Sequence, residues 1–128
     1  GKVFTREELV RIGEICSRHQ VILFADEIHG DFVYAGSRHI PAASVIPGCL
    51  TAVAPSKTFN LAAMKAAAVI APDAGLAERF RRVLAVNHGD NLNMLGMYAY
   101  LAAYEAGDDY LDQLLSYLSA QVAHLQRV

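Results

Sequence analysis

The chain has 128 residues, 54% of them hydrophobic, which suffices for one domain with a real core. Its net charge of −2, from 11 basic and 13 acidic residues without a basic stripe, argues against nucleic acid or an anionic membrane as partner. No apolar run approaches the roughly 20 residues that cross a bilayer, and Cys16 and Cys49, far apart and without a CxxC, read as reduced intracellular thiols.

Thr5-Arg6-Glu7-Glu8 has the form of a capping box, and Leu9, Ile12 and Cys16 continue one apolar face at helical spacing. The pattern predicts a helix ending near His19 and Gln20. Residues 21–25 are an apolar run of strand type, predicting a buried parallel strand that leads straight into Asp26. Residues 31–36 read as a short extended piece ending at Gly36, and Pro41 and Pro47-Gly48 bracket a helical turn around Ser44. Residues 50–54 and 66–71 are further strands, the second stopped by Pro72.

The remainder predicts helices. Leu76, Phe80, Val83 and Leu84 form a stripe over 74–86 with Arg79, Arg81 and Arg82 outside it. Residues 87–91 read as an ordinary interhelical loop rather than the lining of a site mouth or dimer interface. A helix over 93–106 stops at Gly107, and another restarts at Asp108-Asp109 with Leu111, Leu114, Leu115, Leu118 and Val122 on one face. Strands alternating with helices place the chain in the α/β class. His19, His39, His88 and His124 lack metal-ligand spacing and read as surface or structural, with no metal expected. Tyr98, Tyr104, Tyr110 and Tyr117 read as core and interface packing.

Two positions carry chemistry. Lys57 is a lone lysine with no charged neighbour, just beyond the apolar residues 50–53. Such a lysine is ordinarily a solvated loop residue. Held in a buried place, however, its ammonium form is disfavoured, and a neutral amine attacks carbonyls to form a Schiff base. Asp26 stands where the chain leaves the first strand, and ligand sites of open α/β sheets lie outside the carboxyl ends of strands. Alone it reads as a helix cap or loop residue. Together the pair suits pyridoxal phosphate: the amine takes the aldehyde carbon and the carboxylate pairs with the pyridinium nitrogen, which makes the ring an electron sink. Ser56, a hydroxyl before the lysine, and Lys65, a cation after it, suit a dianionic phosphate, with a solvated lysine as the plain alternative for Lys65.

Asp26-Glu27-Ile28-His29 followed by Ser56-Lys57-Thr58-Phe59-Asn60-Leu61-Ala62 resembles the class I/II aminotransferase superfamily of fold type I pyridoxal phosphate enzymes. In combination the motifs look most like its MalY/PatB-type cystathionine β-lyase (C–S lyase) branch. Gly1-Lys2-Val3-Phe4-Thr5 resembles the segment that comes after the Asn-Pro of that superfamily's Asn-Pro-x-Gly motif, and the likeness covers essentially the whole chain.

The resemblance implies a mostly parallel sheet flanked by helices, part of the family's large domain. A complete enzyme of this family is roughly three times longer. Residues 1–128 would then be the central and C-terminal part of the cofactor-binding large domain, with the N-terminal segment and small domain outside the chain. It further implies a cytoplasmic homodimer that eliminates a thiol from a sulfur-containing amino acid, with Lys57 as the Schiff-base lysine that also moves the α-proton. An aminotransferase shares every residue present, and a non-catalytic cofactor-binding domain of a regulator is the reading from another class. In any of these, the chain by itself is expected to be inactive. His29 stands where many relatives carry a tyrosine that donates to the cofactor's phenolic oxygen; an imidazole either does the same or packs beneath the ring. The chain departs from the pattern at Lys65, where arginine is usual and lysine offers a point charge instead of a bidentate fork. It also departs at Ala54 and Ala63, where serine and glycine are common.

Overall fold

The computed structural model describes residues 2–127, so Gly1, where the Asn-Pro-x-Gly resemblance begins, lies outside the described residues. Helix α1 spans Arg6–Arg18 and opens on the expected capping box. The Glu8 amide donates to Thr5 Oγ1 at 3.3 Å, and the Thr5 amide donates to a Glu8 carboxylate oxygen at 2.9 Å. Two of the amide groups that a helix start leaves unpaired are thereby satisfied. Leu9 is buried, with Ile12 and Cys16 half-buried on the same face. Gly13 lets α1 approach closely, since a Cβ there would lie 2.9 Å from Ile46 Cγ2.

Strands β1 (Phe24–Asp26), β2 (Leu50–Val53) and β3 (Ala68–Ile70) form one sheet in the order β1-β2-β3. β1 and β2 are parallel, with Asp26 opposite Ala52. β2 and β3 are antiparallel, with Val53 opposite Ala68. The sheet is therefore mixed, where a mostly parallel one was expected. The 54–67 connection contains no crossover helix, which a return to a parallel strand would require. It turns back on itself instead, with Asn60 and Lys65 both in the left-handed region at φ 54 and 50.

The strands are also shorter than the apolar runs predicted. Residues 21–23 lie outside β1, and Val21 and Ile22 are 57% and 50% exposed, so this run is not the buried strand that its composition implied. Residues 31–36 form turns and irregular chain, and two single 3-10 turns appear at Ala42–Ser44 and Ala62–Met64. The core gathers Leu9, Ala42, Ile46 and Cys49, with Leu23, Ala25, Ile40 and Val45 packed against it. Both cysteines are free thiols.

Helices α2 (Ala74–Val86), α3 (Met94–Ala106) and α4 (Asp108–Leu125) fall where the periodicity placed them. Asp73 caps α2 through the Leu76 amide at 2.6 Å. Phe80 packs its ring 6.5 Å from that of Phe24, but Val83, expected in the same stripe, is 61% exposed. The α4 stripe is half-buried at Leu111, Leu114, Leu115 and Leu118, and α4 contains no fully buried residue. No helix among the described residues is long and apolar enough to cross a membrane.

Candidate active site

Strand pairing decides which residues share an edge. β1 and β2 run the same way, so their carboxyl ends lie together. The last inter-strand bond there runs from the Glu27 amide to the Ala52 carbonyl at 2.9 Å. β3 runs the opposite way, so the end at which it begins lies at the same edge. Asp26 closes β1, Ser56 and Lys57 follow β2, and Lys65 precedes β3. Four of the five predicted site residues thus lie on a strand end or in the chain just beyond one at the same sheet edge, and His29 lies in the turn after Asp26.

Asp26 is exposed, and its Oδ1 accepts from the Ile28 amide at 3.1 Å, a local turn that fixes the carboxylate's direction. Its Oδ2 makes no hydrogen bond among the described residues. Glu27, beside it, is turned to another task. Its side chain is only 10% exposed; Oε1 accepts from the Ala42 amide at 2.7 Å, and Oε2 accepts from His39 Nε2 at 2.8 Å. Two consecutive carboxylates therefore divide, one pinning the 39–42 segment to the turn and the other standing open at the sheet edge. His29 is exposed, with its ring 6.0 Å from that of Phe32.

The Lys57 turn is held from both sides. The Phe59 amide donates to the Pro55 carbonyl at 2.9 Å, and the Leu61 amide donates to the Ser56 carbonyl at 3.0 Å. Thr58 is fully buried and donates to Asp31 Oδ2 at 2.7 Å. Phe59 meets Tyr104 edge-on at 5.9 Å and Tyr110 at the same distance. Tyr98 and Tyr117, read from sequence as packing residues, are both 62% exposed. Lys57 itself is exposed, so the described residues do not supply the burial that was expected around its amine. Ser56 is half-buried and Lys65 exposed. The Lys65 end of the connection is tied to α3, where the Asn93 side-chain amide donates to the Met64 carbonyl at 2.7 Å.

A cavity of about 410 Å³ opens between α1 and β1, lined by residues that include Leu9, Leu23, Asp26, His29, Phe32 and His39. Ser56, Lys57 and Lys65 do not line it. This cavity therefore does not join Asp26 to Lys57; the parallel β1–β2 pairing relates them. No group of three or more metal-ligating side chains occurs among the described residues.

The chain is similar to known proteins in sequence and in fold. The family model for aminotransferase class I and II matches residues 1–127. The chain belongs to that family. Among curated class I and II relatives, it is 38% identical to cystathionine beta-lyase PatB of Bacillus subtilis over 92% of this chain and 32% of that protein. It is 32% identical to protein MalY of Escherichia coli over 98% of this chain and 33% of that protein. The pyridoxal phosphate-bound C–S lyase from Staphylococcus hominis superposes with a TM-score of 0.86 at 31% identity, covering 99% of this chain and 33% of that one. The chain spans about a third of the length of these curated relatives. Its fold is accordingly a part of the fold type I α/β architecture, and the mixed sheet belongs to that part.

Sequence reasoning missed Glu27, Asp31, Thr58 and Asn93 as residues that build the site. Glu27 had a legible signal, a second carboxylate directly after Asp26 in otherwise apolar surroundings. Asp31 and Thr58 had none, because their partnership depends on the strand register.

Proposed function

We propose that the chain is the central and C-terminal part of the cofactor-binding large domain of a pyridoxal phosphate-dependent C–S β-lyase acting on a sulfur-containing amino acid. The observation that carries this is the parallel β1–β2 pairing, which brings Asp26 and the Lys57 turn to one sheet edge. The donor set fits the cofactor: an amine for its aldehyde, a carboxylate for its ring nitrogen, and the Ser56 hydroxyl with the Lys65 ammonium for its phosphate. When bound, pyridoxal phosphate supplies a ring that accepts the electron pair left as a bond to the amino acid's α-carbon breaks.

The chain's own residues do the rest. Lys57 Nζ would hold the cofactor through its aldehyde and would serve as the base for the substrate's α-proton. Asp26 would hold a proton on the ring nitrogen by supplying a negative charge for it. His29 lies in the turn after Asp26, where an imidazole can contact the ring. The names of PatB and the Staphylococcus C–S lyase support elimination as the reaction. The family model, which is that of aminotransferases, favours transamination as the second reading. Free Cys16 and Cys49 support a cytoplasmic setting, and the exposed apolar residues of α3 support a homodimer in the intact protein.

Borohydride reduction of the cofactor-loaded intact protein, followed by peptide mapping, tests the assignment. The pyridoxyl group is expected on Lys57, and label on Lys65 instead would overturn it. Release of pyruvate and thiol from cystathionine distinguishes elimination from amino-group exchange with a keto acid.

A further inference from the structure

Beyond the last backbone bond of the β1–β2 ladder, one side-chain bond joins the two turns. Thr58 Oγ1 donates to Asp31 Oδ2 at 2.7 Å across a sequence separation of 27 residues. Thr58 is 0% exposed and directly follows Lys57, while Asp31 lies two positions past His29 in the turn begun by Asp26. A hydroxyl buried this completely must be paired, and a bond to a carboxylate is short and about twice as strong as one between neutral groups. Phe59, next along, is fixed by Tyr104 and Tyr110, so the Lys57 turn has little freedom to move independently of Thr58.

We infer that Asp31 and Thr58 are a pair of positioning residues that set the distance between the Asp26–His29 turn and Lys57. The inference rests on the cofactor role proposed above. If the amine and the carboxylate grip opposite ends of one rigid ring, their separation has to match that ring. The backbone ladder holds Asp26 but stops at Glu27, short of His29 on one side and of Lys57 on the other. The Asp31–Thr58 bond closes a loop through Glu27, Ala52, Lys57 and His29 and makes the spacing a property of the fold rather than of the bound ring. A preformed site binds without first ordering its own groups, so the brace should appear in cofactor affinity as well as in rate.

The test uses the intact protein. Thr58→Val keeps the shape and removes the donor, Asp31→Ala removes the acceptor, and the double variant removes both. Each single variant is expected to raise the pyridoxal phosphate dissociation constant about tenfold and to lower kcat with little change in KM. The double variant should be no worse than the worse single one, because the pair acts as a unit. Thr58→Ser and Asp31→Asn, which keep a donor and an acceptor, should return affinity and kcat to near the parent values. Effects that add in the double variant would overturn the pairing. A lowered melting temperature of the cofactor-free protein with unchanged cofactor affinity would show a merely structural bond and overturn the role. Label mapping on Lys57 separates this from failure of the cofactor assignment. With label on Lys57 and unchanged affinity in Thr58→Val, only the brace fails; with label elsewhere, the assignment itself fails.

Discussion

Asn93 joins two elements with the two ends of one amide. Its nitrogen donates to the Met64 carbonyl at 2.7 Å, and its oxygen accepts from the Gly96 amide at 2.7 Å as the cap of α3. The start of α3 is thereby fastened to the residue before Lys65. Gly96 permits the approach, since a Cβ there would come within 2.7 Å of the Met64 carbonyl oxygen.

Asn93→Ala loses both bonds and is expected to destabilise the intact protein by about 1–2 kcal/mol in urea unfolding. Asn93→Asp keeps the cap but cannot donate to Met64, so it should fall between the parent and Asn93→Ala. Equal losses in the two variants would mean that the Met64 bond carries all of the effect.

Gly107→Ala should disturb the Lys57 turn from a distance. A Cβ at Gly107 would lie 2.2 Å from the Ala103 carbonyl oxygen and 2.3 Å from a ring carbon of Phe59. Phe59 must then leave its place between Tyr104 and Tyr110, and overpacking of this kind costs about 1–3 kcal/mol. Denaturant unfolding reads the loss, and a Gly107→Ala, Phe59→Leu pair should recover part of it.

Lys65 adopts φ 50, a left-handed conformation that costs a side chain with a Cβ about 1–2 kcal/mol and glycine almost nothing. Lys65→Gly is therefore expected to hold or raise the melting temperature of the cofactor-free protein while weakening pyridoxal phosphate binding. If binding is unchanged, Lys65 does not contact the phosphate.

Asp26→Asn removes the negative charge proposed to hold the ring-nitrogen proton. Turnover of the intact protein should fall by roughly two orders of magnitude or more while some cofactor is retained, measured by steady-state kinetics and the visible absorption band. Unchanged turnover would remove Asp26 from the mechanism.

Tyr104 gives a titration that can be checked directly. Burial first, then the Asp31 carboxylate and Tyr100, push its hydroxyl from the ordinary 10.0 up to about 12. Tyr100 is shifted upward by burial and then by Asp31. The native state keeps the Tyr104 proton between these values while the unfolded chain loses it, so unfolding releases protons there. Stability is thus intact below pH 10 and declines as pH rises toward 12. Tyrosinate absorbance should show the late titration, Tyr104→Phe should remove it, and Asp31→Asn should bring it down in part. A chain whose tyrosines all ionise at the ordinary value would contradict the placement of Asp31 beside α3.

The helices were legible in the sequence because their signals are local. A capping box at Thr5, an apolar stripe from Leu76 to Leu84 and a glycine between two apolar stretches each act within a few turns. The sheet was legible in its strands but not in its pairing. Composition places β2 and β3, yet their direction follows from two left-handed residues, Asn60 and Lys65, of which only the asparagine belongs to a type that readily adopts that conformation. The site divided in the same way. Asp26 and Lys57 stand out by chemical type against apolar runs, whereas Thr58 and Asp31 are common residues whose importance arises only once two strands are aligned. The exposure of Lys57 was not legible because the burial of a turn depends on what covers it.

The outer edge of β1 pairs with no strand among the described residues. An open strand edge is a template for another strand, and here it borders an apolar cavity. Made as 128 residues, the chain would recruit a strand from whatever is available, including another copy of itself.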